Sequence, residues 1–281
     1  MNNRRDRDEV PIRVAVLYGH GINCDRETSF AIEKAKKVLG STAEEAVVSR
    51  RVHTNQLVEG KEELADYQML VLPGGFLHGD DISAGKILAG KLKTELADQL
   101  DNFLAEGKLL LGICNGFQVM VKYPLLPEGE IGPVTLDWND SGRFIDRWVH
   151  LKVEDSPCVY LEEGEDLYLP IRHAEGKFLA EAEVLDRLER ESRVVLRYAD
   201  EEGAPAAGRY PLNPNGSLRD VAGICDGSGR IFGLMPHPEA YVDPLHHPNW
   251  NLQERAGELP ARGGGLKVFE NALRFMLEEF C

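Results

Sequence analysis

The sequence predicts an α/β fold in which an open, mostly parallel sheet is flanked by helices and carries an added antiparallel β section. Two patterns point there. Short apolar runs at 12–18, 68–72 and 109–113 each end in a glycine-containing turn, and helical spacing follows; strand-turn-helix units of a parallel sheet read this way. Between residues 132 and 177 the spacing changes to alternation and aromatics, as in antiparallel strands. The 281 residues, 43% of them apolar, suffice for one substantial core. With no repeat and no clean linker, residues 12–281 are expected to form a single domain behind a charged, disordered arm, 1–11.

The first strand, IRVAVLY, runs into Gly19-His20-Gly21-Ile22-Asn23-Cys24, which falls short of a dinucleotide fingerprint because Cys24 stands where the third glycine belongs. Asp25 can cap a helix through Leu39, with Phe30, Ala31, Lys34, Ala35, Val38 and Leu39 as its inner face and Gly40 as the stop. Val47, Val48 and Val52 mark a second strand. The third, at 68–72, ends in Pro73-Gly74-Gly75-Phe76, and open α/β sheets place their sites beyond such strand ends. A long helix is expected over 83–106 on the stripe Leu88, Leu92, Leu96, Leu100, Phe103 and Leu104, closed by Gly107. Residues 79–87, GDDISAGKI, fail as a phosphate loop, since five residues separate the glycines and Ile87 replaces the metal-binding hydroxyl.

Later elements are a strand and helix around residue 114, the antiparallel section with His173-Ala174-Glu175-Gly176 at a turn, and a short helix or lid over 182–191. A strand over 194–198 and a hairpin about Asp226-Gly227-Ser228-Gly229 follow. The Pro/Gly-rich segment 243–265 reads as a flexible loop, or as a partner-facing segment anchored by Trp250. An amphipathic helix over 266–280 closes the chain.

A formal charge of -15 repels phosphate backbones and anionic lipid, so neither nucleic acid nor a membrane surface is expected as a partner. The five cysteines form no CxxC pair and no metal-like spacing, so no metal is assigned from sequence. No run approaches a membrane span and no apolar leader opens the chain. A reduced, cytoplasmic setting is expected.

Chemistry concentrates in LLLGICNGFQVMV, 109–121, where a strand meets a tight Gly-Ile-Cys-Asn-Gly turn and a helix follows. That is the pattern of a nucleophile elbow. It puts Cys114 at a helix N-terminus, where unpaired N–H groups favour negative charge and so the reactive thiolate. Taken alone, the pattern leaves Cys114 as either a nucleophile or a small buried hydrophobe. Met235-Pro236-His237-Pro238-Glu239 supplies what a nucleophile needs. In an extended segment, residues two apart project to one side, so Glu239 can orient the His237 imidazole and stabilise its charged form.

Gly-Ile-Cys-Asn-Gly-Phe-Gln together with Met-Pro-His-Pro-Glu resembles the class I glutamine amidotransferases, and more narrowly the glutaminase subunits of phosphoribosylformylglycinamidine synthase. Further segments carry the narrower likeness: Asn23-Cys24-Asp25-Arg26, Pro73-Gly74-Gly75-Phe76, Gly79-Asp80, Glu175-Gly176 and Asn213-Pro214-Asn215-Gly216-Ser217. The resemblance implies a flavodoxin-like glutaminase fold and a triad of Cys114, His237 and Glu239. It also implies an oxyanion hole from the backbone N–H groups of Gly75 and Asn115, and glutamine contacts from Gln118, with His173 and Glu175 as weaker candidates. The implied reaction hydrolyses L-glutamine and passes ammonia to a large synthetase subunit, which turns formylglycinamide ribonucleotide into its amidine in purine biosynthesis. ATP and magnesium are then expected on that partner and no cofactor on this chain; a third, small bridging subunit is left open. A different acceptor synthetase, a peptidase-like hydrolase and a non-catalytic glutamine-binding subunit are the alternatives. The sequence departs from the family at Gly19-His20-Gly21-Ile22, where a Pro-Gly-Ser run is usual, at His78, where Tyr is common, and at Ala174, where the usual motif has Gly.

Overall fold

In the computed structural model, residues 11–76, 85–129 and 131–280 are described. The expected arm, His78 and most of the rejected phosphate loop lie outside them. Strand β1 (Ile12–Tyr18) leads to α1 (Asp25–Leu39), then α2 (Ser41–Ala46), β2 (Val47–His53), α3 (Thr54–Val58) and β3 (Met69–Leu72). Helices α4 (Lys86–Glu95) and α5 (Ala97–Ala105) precede β4 (Leu109–Ile113) and α6 (Asn115–Lys122). Next come β5 (Val134–Trp138), β6 (Ile145–Val153), β7 (Leu167–His173), β8 (Glu175–Ala180), α7 (Ala182–Arg190) and β9 (Val194–Ala199). The hairpin β10 (Val221–Cys225) and β11 (Ile231–Leu234), then α8 (Trp250–Ala256) and α9 (Leu266–Phe280), complete the order.

Among the described residues, nine strands form the main sheet in the order β2-β1-β3-β4-β11-β10-β9-β6-β7. Strands β2, β1, β3, β4 and β11 pair in parallel. From β10 outward every pairing is antiparallel. The expected antiparallel section therefore continues the parallel sheet rather than covering it. Strands β5 and β8 form a separate antiparallel pair. Parallel strands covered on both faces read as continuous apolar runs, and β3 and β4 are buried along their whole length.

The β10–β11 hairpin is late in sequence yet lies mid-sheet, with β11 against β4. Because β1, β3, β4 and β11 are parallel neighbours, the turns that follow them meet at one sheet edge, where an open α/β sheet places its site.

Several sequence expectations need correcting. The inner face of α1 is Thr28, Ala31, Ile32, Ala35 and Lys36, while Phe30 and Val38 are exposed. Helix α9 packs against α1, and the buried Asp25 and Lys36 at the two ends of the inner face pair with Arg51 and Glu33. The expected helix over 83–106 breaks at Leu96, whose φ of -130° caps α4 and starts α5. Leu88, Leu92, Leu96, Leu100 and Phe103 all stay buried across the break. Segment 243–265 is not a structureless loop, since it holds a 3-10 turn at Pro244–His246 and helix α8.

Candidate active site

The elbow is built by β4 and α6. Cys114 joins them with φ 51° and ψ -104°, a conformation costly for a residue with a side chain. Its N–H donates to the Leu234 carbonyl at 2.7 Å, fastening the elbow to the end of β11. Cys114 is 4% exposed, and its thiol points toward the Arg172 carbonyl oxygen at 3.7 Å.

Three residues past β11 stands His237, whose N–H donates to the Pro170 carbonyl of β7 at 2.8 Å. The expected extended path through His-Pro-Glu is replaced by a 3-10 turn over Pro238–Ala240, since proline's fixed φ suits the first position of such a turn. The turn still brings the pair together: His237 Nδ1 and Glu239 Oε1 are 2.6 Å apart, both side chains buried. Burial opposes charge on His237. The Glu239 carboxylate and the thiols of Cys114 and Cys24 outweigh it and hold the imidazole pKa well above the ordinary histidine value.

Gly75, after β3, forms the opposite wall. Its φ is +152°, and a Cβ there would meet the Gly21 carbonyl oxygen at 2.5 Å, so only glycine lets the two turns touch. Asn115 is the first residue of α6, directly after Cys114. Gln118, a turn later, is buried, with Oε1 accepting from Asn115 Nδ2 at 2.8 Å and Nε2 donating to the Glu175 carbonyl at 2.6 Å. His173 ends β7 and Glu175 begins β8, so the expected turn is the single residue Ala174, where the chain leaves one sheet for the other.

These residues surround two adjoining cavities that share Gly75, Phe76 and Arg172. One, of about 260 Å³, is lined by Cys114, Asn115, Gln118, His173 and Glu175. The other, of about 210 Å³, reaches His237, Glu239 and Cys24. Phe76 and Phe144, both half exposed, face each other at 6.0 Å and border the second cavity. The arrangement gathers a thiol, an imidazole paired with a carboxylate, and the backbone of Gly75 and Asn115 around two adjoining cavities, a set of groups suited to acyl transfer to sulfur.

Sequence reasoning assigned no role to Arg172, Asn139 or Cys24. Arg172 lines both cavities. Asn139 is 2% exposed, and its Oδ1 lies 3.0 Å from His173 Nδ1. Cys24 follows β1, and its thiol pKa is raised by burial, against a hydrogen bond from His237 that lowers it. The signal for Cys24 was available: β1 ends in a glycine turn, as β3 does, at the same sheet edge.

Burial, reinforced by the charge of His237, depresses the His173 pKa to about 3. The unfolded chain, with an ordinary histidine value, takes up a proton first as pH falls. The stability contributed by neutral His173 is therefore complete above the unfolded value and is lost as pH drops through the window between the two. Between about pH 7 and about pH 5 the loss is expected to be about 2 kcal/mol. His237 titrates in the opposite sense there, so the readout is the difference in urea-unfolding free energy between wild type and His173→Gln. Equal pH slopes in the two proteins would refute a buried neutral His173.

A CobB/CobQ-like glutamine amidotransferase domain model matches residues 11–276. A phosphoribosylformylglycinamidine synthase subunit PurQ of Methanococcus maripaludis is 42% identical over 280 residues, covering 95% of this chain and 98% of that protein. The PurQ subunit of Dehalococcoides mccartyi is also 42% identical, covering 94% of this chain and 97% of its own. Among solved structures, a chain of PurLQS from Thermotoga maritima superposes with a TM-score of 0.67 at 30% identity, covering 95% of this chain and 99% of that one. Matched nearly end to end by family model and relatives alike, the chain belongs to the CobB/CobQ-like glutamine amidotransferases, among the PurQ subunits of phosphoribosylformylglycinamidine synthase.

Proposed function

We propose that this chain is the glutaminase subunit of phosphoribosylformylglycinamidine synthase. It hydrolyses glutamine and hands the ammonia to a large synthetase subunit, which converts formylglycinamide ribonucleotide to the amidine in purine biosynthesis. The observation that carries the chemistry is the 2.6 Å contact between His237 and Glu239, shortly after the end of β11, where the Leu234 carbonyl accepts from the Cys114 N–H. End-to-end similarity to PurQ subunits supports the acceptor.

Cys114 gives its thiol proton to His237, and its Sγ, now the thiolate, attacks the side-chain carboxamide carbon, so that the oxygen takes up negative charge facing the N–H groups of Gly75 and Asn115. His237, held protonated by Glu239, gives its proton to the departing nitrogen. The C–N bond breaks, ammonia leaves and a glutamyl thioester remains on Cys114. Water then attacks the thioester, His237 takes its proton, the C–S bond breaks and glutamate is freed. The backbone around Gln118, His173 and Glu175 forms the wall for the amino acid end of the substrate. Neutral His173 donates Nδ1–H to Asn139, which leaves its Nε2 lone pair for a substrate N–H.

ATP and magnesium belong to the partner synthetase, and a small third subunit completes the assembly, as the composition of the Thermotoga maritima complex suggests. The setting is the cytoplasm; among the described residues, no helix is long and apolar enough to cross a membrane. The test is glutamine-to-amidine conversion with and without the large subunit. Amidine formation from glutamine should require both chains. A synthetase that uses added ammonia yet gains no use of glutamine from this chain would overturn the proposal.

A further inference from the structure

Cys24 is not needed for any step above, yet it sits beside the base. Its Sγ, a His237 ring nitrogen and a Glu239 carboxylate oxygen all lie within 4.8 Å of one another. We propose that these three side chains form an inhibitory site for zinc or a zinc-like divalent cation, which shuts off the glutaminase by capturing its base. The inference rests on the reading of His237 as that base.

One sulfur, one imidazole nitrogen and one carboxylate oxygen suit zinc, whose sites with three protein ligands leave a fourth position for water. Bonds of roughly 2.0–2.3 Å put neighbouring tetrahedral ligands roughly 3.4–3.7 Å apart, so the separations of up to 4.8 Å must close by about 1 Å while the Glu239 carboxylate leaves its 2.6 Å contact with His237 Nδ1 to share the metal. Glu239 Oε2 is buried with no hydrogen-bond partner and has a lone pair to give, and the buried His237 Nε2 offers one once the imidazole gives up its extra proton.

The space between the ligands is kept by a glycine. A Cβ on Gly74 would stand 2.8 Å from His237 Cε1 and 3.4 Å from Cys24 Sγ. Glu27 adds negative charge to the wall of the same cavity, which favours a cation there. On binding, Cys24 gives up its thiol proton and His237 its extra proton, both to solvent, and S–metal and N–metal bonds form. No oxidant or reductant is involved. His237 coordinated in this way has no proton for the leaving nitrogen and no lone pair for the attacking water. Cys114 is not a ligand, which separates this capture from direct blocking of the nucleophile.

The test uses the full chain with cobalt(II) as a spectroscopic stand-in and zinc as the inhibitor. Wild type should show a thiolate-to-cobalt charge-transfer band, and its partner-coupled glutaminase should be inhibited by zinc and restored by a chelator. Cys24→Ser should lose the band and, measured against its own metal-free rate, should need at least about tenfold more zinc for half inhibition. Cys114→Ala should keep the band. Gly74→Ala retains all three ligands but fills their gap, and should also bind cobalt at least about tenfold more weakly. A band that survives Cys24→Ser and vanishes in Cys114→Ala would place the metal on the nucleophile and overturn the proposal, as would equal zinc inhibition of wild type and Cys24→Ser. Failure of the glutaminase reading itself would appear separately, as glutamine hydrolysis persisting in Cys114→Ala whatever the cobalt result.

Discussion

Replacing Cys114 with alanine is expected to lower glutamine-dependent amidine formation by roughly 10⁴-fold or more, while synthesis from added ammonia by the same complex continues. Without the sulfur no thioester forms, and no other thiol sits on the elbow. The loss is expected without unfolding, because alanine keeps the Cβ that already occupies the φ 51° conformation and fills most of a site that is 4% exposed. The Cys114 N–H also keeps its bond to the Leu234 carbonyl. Paired assays with glutamine and with ammonium, on one preparation, check both halves. Persistent use of glutamine would displace Cys114 as the nucleophile, and loss of ammonia use as well would point to a damaged complex instead.

Glu239→Gln is expected to lower glutaminase kcat/KM by about 10³-fold to 10⁴-fold at nearly unchanged folding stability. The amide has the shape of the carboxylate and still reaches His237 Nδ1, now 2.6 Å from Glu239 Oε1. What disappears is the negative charge. Glu239 is the strongest of the groups that hold the His237 pKa up, against a burial effect that pulls it down. With glutamine in its place the imidazole loses its proton at lower pH, so the limb of the pH–rate profile that reports protonated His237 should move toward acid. A variant whose profile superposes on the wild type would show that Glu239 acts only as packing.

Much of this molecule was legible in its sequence where one physical cause dominates. The bounds of β1 and α9 follow from apolar periodicity and the end of α1 from Gly40, and the structure places them as expected, but Asp25 is the first residue of α1 rather than its cap, its carboxylate being taken by Arg51. The residues named for the site also surround one pair of cavities, because turns after neighbouring parallel strands have nowhere else to meet. Elsewhere tertiary partners decided. Periodicity alone could not show that α1 turns Ala31 and Ala35 inward while Phe30 stays exposed, because α9 lies far along the chain. No glycine or proline marks the break at Leu96, and its buried stripe reads the same with or without it. His-Pro-Glu folds as a 3-10 turn, yet both that turn and an extended path bring His237 to Glu239, so the pattern could not separate them. The turn after β1 places Cys24 at the sheet edge, but its closeness to Gly74 and His237 is set by turns far away in sequence.

The mid-sheet position of the β10–β11 hairpin also sets an order of events for a chain being made from its N-terminus. Strands β1 to β4, with the elbow, can be complete while the base is still absent, since β11 is the last strand of the sheet in sequence and the one that abuts β4. Such long-range closure is slow compared with local structure. On the triad proposed above, Cys114 is therefore made well before its base, and glutaminase activity waits for the sheet to close around the hairpin that precedes His237 and Glu239.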